Sequence, residues 1–241
     1  MPAASARSVT NSCVLSVIVP TFNERDSLPL LVSRLAEVSR RLPMELVIVD
    51  DASPDGTGAL AESLAREAVL PITVIHRDTK AGLASAALAG AAGSRGRILT
   101  VMDADLSHPP ELLPDLIAVV EAGADIAIAS RYVPGGGVER WPLWRRMVSR
   151  MATWMTRRLL GLRVRDPLSG FFAVRREILT EVGYLGLGYK LLVEILARNL
   201  HHRVGEVPYR FVDRQLGQSK LSFAELVAFA RLLVQLKDGR V

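Results

Sequence analysis

The chain has 241 residues, enough for one large domain or two small ones, and 49% of them are hydrophobic. The net charge is +5, but aromatic residues make up only 5% and do not alternate with basic ones, which disfavours nucleic-acid binding. The single cysteine, Cys13, excludes an internal disulfide and suits a reducing compartment.

The sequence contains no run of about 20 apolar residues of the kind that spans a membrane. Residues 1–13 lack the apolar core of a secretory signal. We therefore expect a cytoplasmic protein with a flexible tail at 1–13 and a single domain at 14–241.

Strands and helices alternate over the first 130 residues. Apolar runs predict strands at 15–20, 45–50, 72–76, 97–102 and 125–130. Amphipathic or alanine-rich segments predict helices at 28–41, 58–68 and 82–92, with another after Pro109-Pro110. Near-continuous apolar strands between helices indicate an α/β fold, with a mostly parallel, Rossmann-like sheet and helices on both faces. Ligands of such sheets bind beyond the carboxyl ends of the strands.

The second half of the chain is less regular. Short strands are predicted at 171–174 and 206–211, an amphipathic helix at 222–237, and a mobile loop at the glycines 135–137. A helix at 141–160 combines tryptophans and methionines with arginines, which suits the interface of a bilayer. The alternative for this helix is ordinary packing on the sheet.

Two acids follow the fourth strand. In extended chain, Asp103 and Asp105 would point to the same side. Two such carboxylates suit Mg²⁺ or Mn²⁺, which proteins bind through a few carboxylates plus substrate phosphates. Two solvated acids at a turn are the alternative. His108 lies nearby, but its His-Pro step is explained by shaping the turn.

Polar residues also follow the first two strands. Thr21 and Glu24 could contact a base or ribose, although Asn23 as a helix cap would explain the same segment. Asp51 could accept hydrogen bonds from a base or a ribose hydroxyl. Ser53 and Asp55 are better explained as turn caps.

Several motifs occur in an order that resembles a known family. They are VPTFNER, VDDASPDGT, AGLASA, VMDADLSHPPEL, SRYVPGGG, DPLSGFFAVRR, GYKLLVEIL and GQSKL. Together they resemble the family-2 glycosyltransferases, and more closely the dolichol-phosphate (polyprenol-phosphate) mannose synthases, from about Ser16 to Leu221. The resemblance implies a GT-A fold and metal-dependent transfer of mannose from GDP-mannose to a polyprenyl monophosphate. Attack by the acceptor phosphate on the face opposite GDP would make the transfer inverting.

The resemblance also implies roles for individual residues. Asp105, Arg131 and Arg145 would be catalytic. Arg131, Arg145 and Ser149 would hold the acceptor phosphate. The metal ligands would be Asp103, Asp105 and Ser107, although many relatives have Gln, a longer and better ligand, where this chain has Ser107. The donor would contact Pro20, Thr21, Glu24, Asp50, Asp51, Asp103, Ala104, Asp105, Arg131, Arg214 and Lys220.

The expected partners are GDP-mannose, polyprenyl phosphate and the cytoplasmic face of a membrane, on which the protein would be peripheral. A separate membrane-anchoring subunit is a further candidate partner. The alternatives are a polyprenyl-phosphate glycosyltransferase that uses UDP-glucose or another donor, and a non-catalytic subunit that binds nucleotide sugars. A phosphohydrolase is disfavoured, because its Asp-x-Asp pair normally follows the first strand rather than the fourth.

Overall fold

The computed structural model describes residues 14–180, 190–198, 200–212 and 223–237. Within these residues, seven strands form one sheet and two shorter strands form another. The strands are β1 (Leu15–Thr21), β2 (Met44–Asp50), β3 (Ile72–His76), β4 (Ile98–Val101), β5 (Ile126–Ser130), β6 (Gly137–Glu139), β7 (Phe172–Arg175), β8 (Val204–Pro208) and β9 (Arg210–Val212).

The large sheet has the order β3-β2-β1-β4-β7-β5-β8. Its neighbours are parallel except at β7, which runs antiparallel to both β4 and β5. The mostly parallel sheet expected from the sequence is therefore confirmed. The amino end of β7 lies at the edge where β4 and β5 end, so the residues that enter β7 also reach the carboxyl-end edge.

Helices cover both faces of this sheet. They are α1 (Leu28–Ser39), α2 (Thr57–Glu67), α3 (Leu83–Gly93), α4 (Leu113–Glu121), α5 (Leu143–Leu160), α6 (Arg176–Thr180), α7 (Leu191–Arg198) and α8 (Phe223–Lys237). Val17 packs with Leu31 and Leu116 in one core, whereas the next residue, Ile18, packs with Ala87 in the other. This alternation follows from the two-residue period of a strand.

Helix α3 approaches the sheet closely because its side chains are small. A Cβ atom at Gly90 would lie 2.5 Å from Cγ2 of Ile18, far inside van der Waals contact. The alanine-rich sequence of α3 thus brings its backbone onto β1 and fixes the position of the strand that leads to Thr21.

The prediction of a single strand at 206–211 was wrong, because two strands, β8 and β9, occupy this region. The chain changes sheets at Tyr209, whose N–H donates to the carbonyl of Ser130 and whose carbonyl accepts from the N–H of Gly137. Strand β8 therefore belongs to the large sheet, and β9 pairs with β6 in the small one. The mobile loop predicted at 135–137 was one residue too long, because Gly137 is the first residue of strand β6.

Helix α5 begins two residues after the predicted start, and α8 agrees with the predicted C-terminal helix to within one residue. The buried side of α5 packs against α8, where Ala152 and Leu160 join Leu233. In the part of the chain that the structure describes, no helix has both the length and the apolar character needed to cross a bilayer. The predicted tail at 1–13 lies outside the described residues.

Candidate active site

The first wall of the site forms where β1 and β2 end side by side. Thr21 and Asp50 are register partners, and the Thr21 hydroxyl lies 3.3 Å from Oδ1 of Asp50 as a hydrogen-bond donor. The N–H of Asp51 donates to the carbonyl of Thr21 at 2.9 Å. Pro20 is the residue before this junction, so the predicted donor residues of the first two strands lie together.

Asp51 organises the next loop. Its buried carboxylate accepts the N–H groups of Ala81 and Gly82 at 3.1 and 2.9 Å, and it lies 3.0 Å from Nη1 of Arg77. Arg77 also donates to the hydroxyl of Ser85. Asp51 thus holds residues 77–82 against the end of β2, and any contact that it makes with a nucleoside is combined with this scaffold role.

Hydrogen bonds between two loops hold Glu24. Its N–H donates to the hydroxyl of Thr57, and its carboxylate accepts from the hydroxyl of Ser27 at 2.9 Å. Asp55 accepts the N–H and the hydroxyl of Thr57, which confirms its predicted role as a cap. Burial alone would raise the pKa of Asp55, but hydrogen bonds from Thr57 and Arg25 lower it below its ordinary value.

The acids Asp103 and Asp105 lie in a bend, which we call the acid loop (residues 102–108). Strand β4 ends at Val101, one residue before the predicted end, and Leu106 has a left-handed backbone with φ of 63°. The argument from strand alternation was therefore wrong at this point. Asp105 is buried and accepts the N–H of Ser107 at 3.0 Å, whereas the Asp103 side chain is 28% exposed.

The residues of the acid loop fit a divalent cation. The hydroxyl of Ser107 is buried, and no hydrogen-bond partner for it occurs among the described residues. A buried oxygen without a partner carries a free-energy cost that a metal or its bound water would offset. Within the same residues, no cluster of three or more His, Cys, Asp or Glu side chains could hold a metal. Two carboxylates and a hydroxyl are hard oxygen donors of the kind that suit Mg²⁺ or Mn²⁺, which take substrate phosphates as further ligands.

His108 is a residue of this site that the sequence reasoning missed. Its ring is buried, accepts the N–H of Asp103 and stacks on Phe171. Its position five residues after Asp103 was a signal, but the His-Pro step had a sufficient explanation as a turn.

A buried ion pair fixes Arg131 at the end of β5. Its Nε and Nη2 donate to the two carboxylate oxygens of Asp166, each at 2.8 Å, and its backbone N–H donates to Asp166 as well. Burial alone would lower the pKa of Arg131, but the hydrogen bonds and charge of Asp166 raise it above its ordinary value. Asp166 is held in turn by Glu206, which accepts its N–H. Asp166, in the DPLSGFF motif, is a second residue that the sequence reasoning did not name.

The three predicted acceptor residues surround two aromatic rings. Arg131 lies 5.4 Å from the ring of Tyr132, whose hydroxyl lies 2.8 Å from the hydroxyl of Ser149. The ring of Trp141 lies 5.8 Å from the guanidinium of Arg131 and 4.3 Å from that of Arg145. The structure thus brings Arg131, Arg145 and Ser149 into one cluster. Arg214 and Lys220 lie outside the described residues.

Left-handed backbone conformations concentrate at this edge. Asn23, Ala52 and Leu106 have φ values of 58°, 59° and 63°, and each follows the end of a different strand. Such conformations cost roughly 1–3 kcal/mol each and tend to persist at binding and catalytic sites. Their positions after β1, β2 and β4 mark the same edge that the polar residues mark.

The sequence profile of the family described as "Glycosyl transferase family 2" matches residues 16–183. The chain belongs to glycosyltransferase family 2. Three relatives have informative names. A dolichol-phosphate mannosyltransferase from Pyrococcus furiosus is 43% identical over 92% of this chain and 63% of its own length. A polyprenol monophosphomannose synthase from Mycolicibacterium smegmatis is 45% identical over 86% of this chain and 80% of its own.

An undecaprenyl-phosphate mannosyltransferase from Micrococcus luteus is 40% identical over 85% of this chain and 86% of its own length. The chain of this glycosyltransferase spans less than two thirds of the Pyrococcus relative.

Among solved structures, glucosyl-3-phosphoglycerate synthase from Mycobacterium tuberculosis superimposes with a TM-score of 0.68 at 22% identity, over 95% of this chain and 80% of that one. This likeness confirms the expected GT-A fold. The synthase was crystallised with UDP and Mn²⁺, and in another case with UDP and Mg²⁺.

Proposed function

We propose that this glycosyltransferase moves mannose from GDP-mannose to a polyprenyl monophosphate. The observation that carries the proposal is the occurrence of two kinds of chemistry at one edge of the sheet. One is an acid loop with a buried hydroxyl that has no hydrogen-bond partner among the described residues, and the other is a cluster of arginines around Tyr132 and Trp141. The relatives named for dolichyl, polyprenyl and undecaprenyl phosphate mannose transfer support this substrate pair.

The donor would bind across the ends of β1, β2 and β4. Pro20, Thr21 and Glu24 would line the nucleoside side, and Asp50 and Asp51 would present carboxylates to it from the end of β2. A guanine base offers N–H donors that suit such acceptors.

Asp103, Asp105 and Ser107 would hold the divalent cation, with Ala104 between them against the diphosphate. When bound, the cation neutralises charge on the diphosphate and so favours departure of GDP. Asp105 is held for this role by the N–H of Ser107. Arg214 and Lys220 remain proposed donor contacts on the basis of the sequence.

The acceptor would place its phosphate beside Arg131, Arg145 and Ser149. A phosphate monoester has a second pKa near 6 and is mostly dianionic at neutral pH, so it needs no general base. An oxygen of the acceptor phosphate forms the bond to C1 of mannose as the bond from C1 to the GDP oxygen breaks. Attack opposite the leaving group inverts C1 and gives a β-linked product from an α-linked donor. The arginines offset repulsion between the two phosphorylated substrates.

The outer side of α5 would contact the membrane that carries the lipid acceptor. Trp144, Met147, Met151 and Trp154 are 61%, 70%, 59% and 63% exposed, although they are large and apolar. Exposed Arg150 and Arg158 lie on the same helix. Large exposed apolar surfaces mark sites of interaction, and this composition fits the headgroup region of an anionic bilayer. We propose peripheral binding to the cytoplasmic face of a membrane through α5, with a separate anchoring subunit as a candidate partner.

A transfer assay tests the proposed reaction. Purified protein is incubated with radiolabelled GDP-mannose, Mg²⁺ or Mn²⁺ and polyprenyl phosphate, and label is measured in the organic phase. We expect label to depend on the lipid and on the metal, and NMR of the product to give a β-linkage. Parallel reactions with UDP-glucose test the alternative donor. Label from UDP-glucose alone would reassign the donor, and failure with every donor would contradict the proposal.

A further inference from the structure

His108 contacts both the main chain and the side chain of Asp103. The ring is 2% exposed. Its Nδ1 accepts the backbone N–H of Asp103 at 2.9 Å, and its Nε2 lies 3.8 Å from Oδ2 of the same residue. Because Nδ1 accepts a hydrogen bond, the ring proton of the neutral imidazole is on Nε2, the nitrogen that faces the carboxylate.

Contacts from distant parts of the chain fix the plane of this ring. His108 stacks on Phe171 with centroids 5.1 Å apart and an angle of 17° between the planes. Tyr209 and Phe211 contact it edge-on, each at 6.2 Å. A Cβ atom at Gly170 would lie 3.2 Å from Cε1 of His108 and 3.7 Å from Oδ2 of Asp103. The entrance to β7 and strand β9 thus enclose His108 where it meets the acid.

We infer that His108 is a positioning residue, which holds Asp103 in the orientation that binds the divalent cation of the donor complex. This inference rests on the proposed function of the acid loop. The imidazole acts through Asp103 and is not itself a ligand. Partners that orient the ligands of a metal typically change its affinity about 10- to 100-fold when they are removed. The hydrogen bond to the main chain of Asp103 sets where the loop bends, and the stacked ring sets where the carboxylate can turn.

Two substitutions separate orientation from packing. His108→Phe keeps an aromatic ring for Phe171 but removes the acceptor for the N–H of Asp103. His108→Asn loses the ring, but its amide oxygen can occupy the place of Nδ1 and accept the same N–H. His201→Phe, at an exposed turn, is the matched control.

The readout is the dissociation constant of Mn²⁺ in the presence of saturating GDP, measured from the free Mn²⁺ signal by electron paramagnetic resonance. We expect His108→Phe to raise this constant about 10- to 100-fold and His108→Asn to raise it less than His108→Phe. His201→Phe should leave it unchanged. In the transfer assay, the metal concentration for half-maximal rate should rise in parallel, while kcat at saturating metal changes little.

Unchanged Mn²⁺ affinity in His108→Phe would overturn the inference, and so would an equal loss in His108→Asn. If His108→Phe does not fold by circular dichroism, Gly170→Ala takes its place, because the added methyl presses on the ring; an unchanged constant there would also overturn the inference. If the wild-type protein binds no Mn²⁺ in the presence of GDP, that result would instead contradict the proposed donor site. In metal-free protein, ¹⁵N NMR should find the proton of His108 on Nε2, and a proton on Nδ1 would contradict the geometry.

Discussion

The guanidinium carbon of Arg145 lies 4.3 Å from the centre of the Trp141 ring. The same ring lies 5.8 Å from the guanidinium carbon of Arg131. Trp141 therefore holds two cations near each other, and the π face that attracts each of them reduces the cost of that arrangement. A phosphate group beside both cations would offset their remaining repulsion.

We expect Trp141→Ala to weaken use of the acceptor. Loss of the ring removes one contact that positions Arg145, and a cation–π contact is worth about 0.5–2 kcal/mol. The kcat/KM for polyprenyl phosphate should fall by about 3- to 30-fold, while the KM for the donor changes little. Trp141→Phe, which keeps a ring, should retain most of the activity. Steady-state kinetics in both substrates provide the measurement, and an effect confined to a raised KM for the donor would contradict the assignment.

Asp105→Asn should remove transfer without unfolding the protein. The amide oxygen can still accept the N–H of Ser107, but the negative charge for the cation is lost. A metal contributes several kcal/mol to such reactions, so the rate should fall by at least about 100-fold. Asp115→Asn is the control. Asp115 is exposed in the first turn of α4, outside the acid loop, so its substitution should leave the transfer rate unchanged. Comparable rates in Asp105→Asn and wild type would contradict the metal site.

Asp166→Asn should lower the stability of the whole protein. The Asp166 side chain is fully buried and that of Arg131 is 9% exposed, so the substitution leaves a buried cation without its counter-charge, at a cost of about 3 kcal/mol. Glu111→Gln breaks the comparable but exposed pair with Arg34 and should cost less than about 1 kcal/mol. Urea-induced unfolding gives both values. Similar values for the two variants would show that burial does not decide the effect.

Ala52→Gly should stabilise the protein. Ala52 is exposed and has a φ of 59°, a conformation in which glycine avoids a steric cost of roughly 1–2 kcal/mol. The gain should be about 0.5–1 kcal/mol after the greater entropy of unfolded glycine is subtracted. Ala118→Gly, at an exposed position inside α4, should destabilise by about 1 kcal/mol. Thermal unfolding measures both, and a loss in Ala52→Gly would contradict the strain at this turn.

Substitutions on the outer side of α5 should weaken membrane binding. Met147 and Trp154 are exposed, so changing both to serine should leave the fold intact. Each buried apolar side chain is worth about 1.5–3 kcal/mol, and partitioning into anionic vesicles should fall by at least about tenfold. Leu30→Ser, at a 51% exposed position on α1, is the control. Vesicle flotation measures the change, and wild-type protein that does not float would contradict the proposed surface.

The first five strands were predictable because strands buried on both faces are continuous apolar runs bounded by turns. Their carboxyl ends meet at one edge, and the N–H of Asp51 at the end of β2 accordingly reaches the carbonyl of Thr21 at the end of β1. The sequence did not predict the contacts that depend on whether a strand runs parallel or antiparallel to its neighbours. Asp166 precedes an antiparallel strand, and nothing local distinguishes it from a solvated acid.

The pairing of the second half could not be read from local pattern either. Arg131 meets Asp166 across 35 residues, and Tyr209 changes sheets because its N–H and carbonyl find partners on β5 and β6. Such contacts depend on which strands become neighbours. Apolar periodicity predicts that a strand exists, but it does not say which sheet the strand joins.

The position of β5 between β7 and β8 has a consequence for synthesis of the protein on the ribosome. Both partners of β5 follow it in the chain, so a nascent polypeptide that has emerged only as far as Ser130 offers this strand no place in the sheet. The β1–β4 half can pair early, whereas Arg131, which directly follows β5, waits for Asp166. A chain interrupted before Phe172 could therefore pair β1 to β4 but would leave β5 without either of its neighbours.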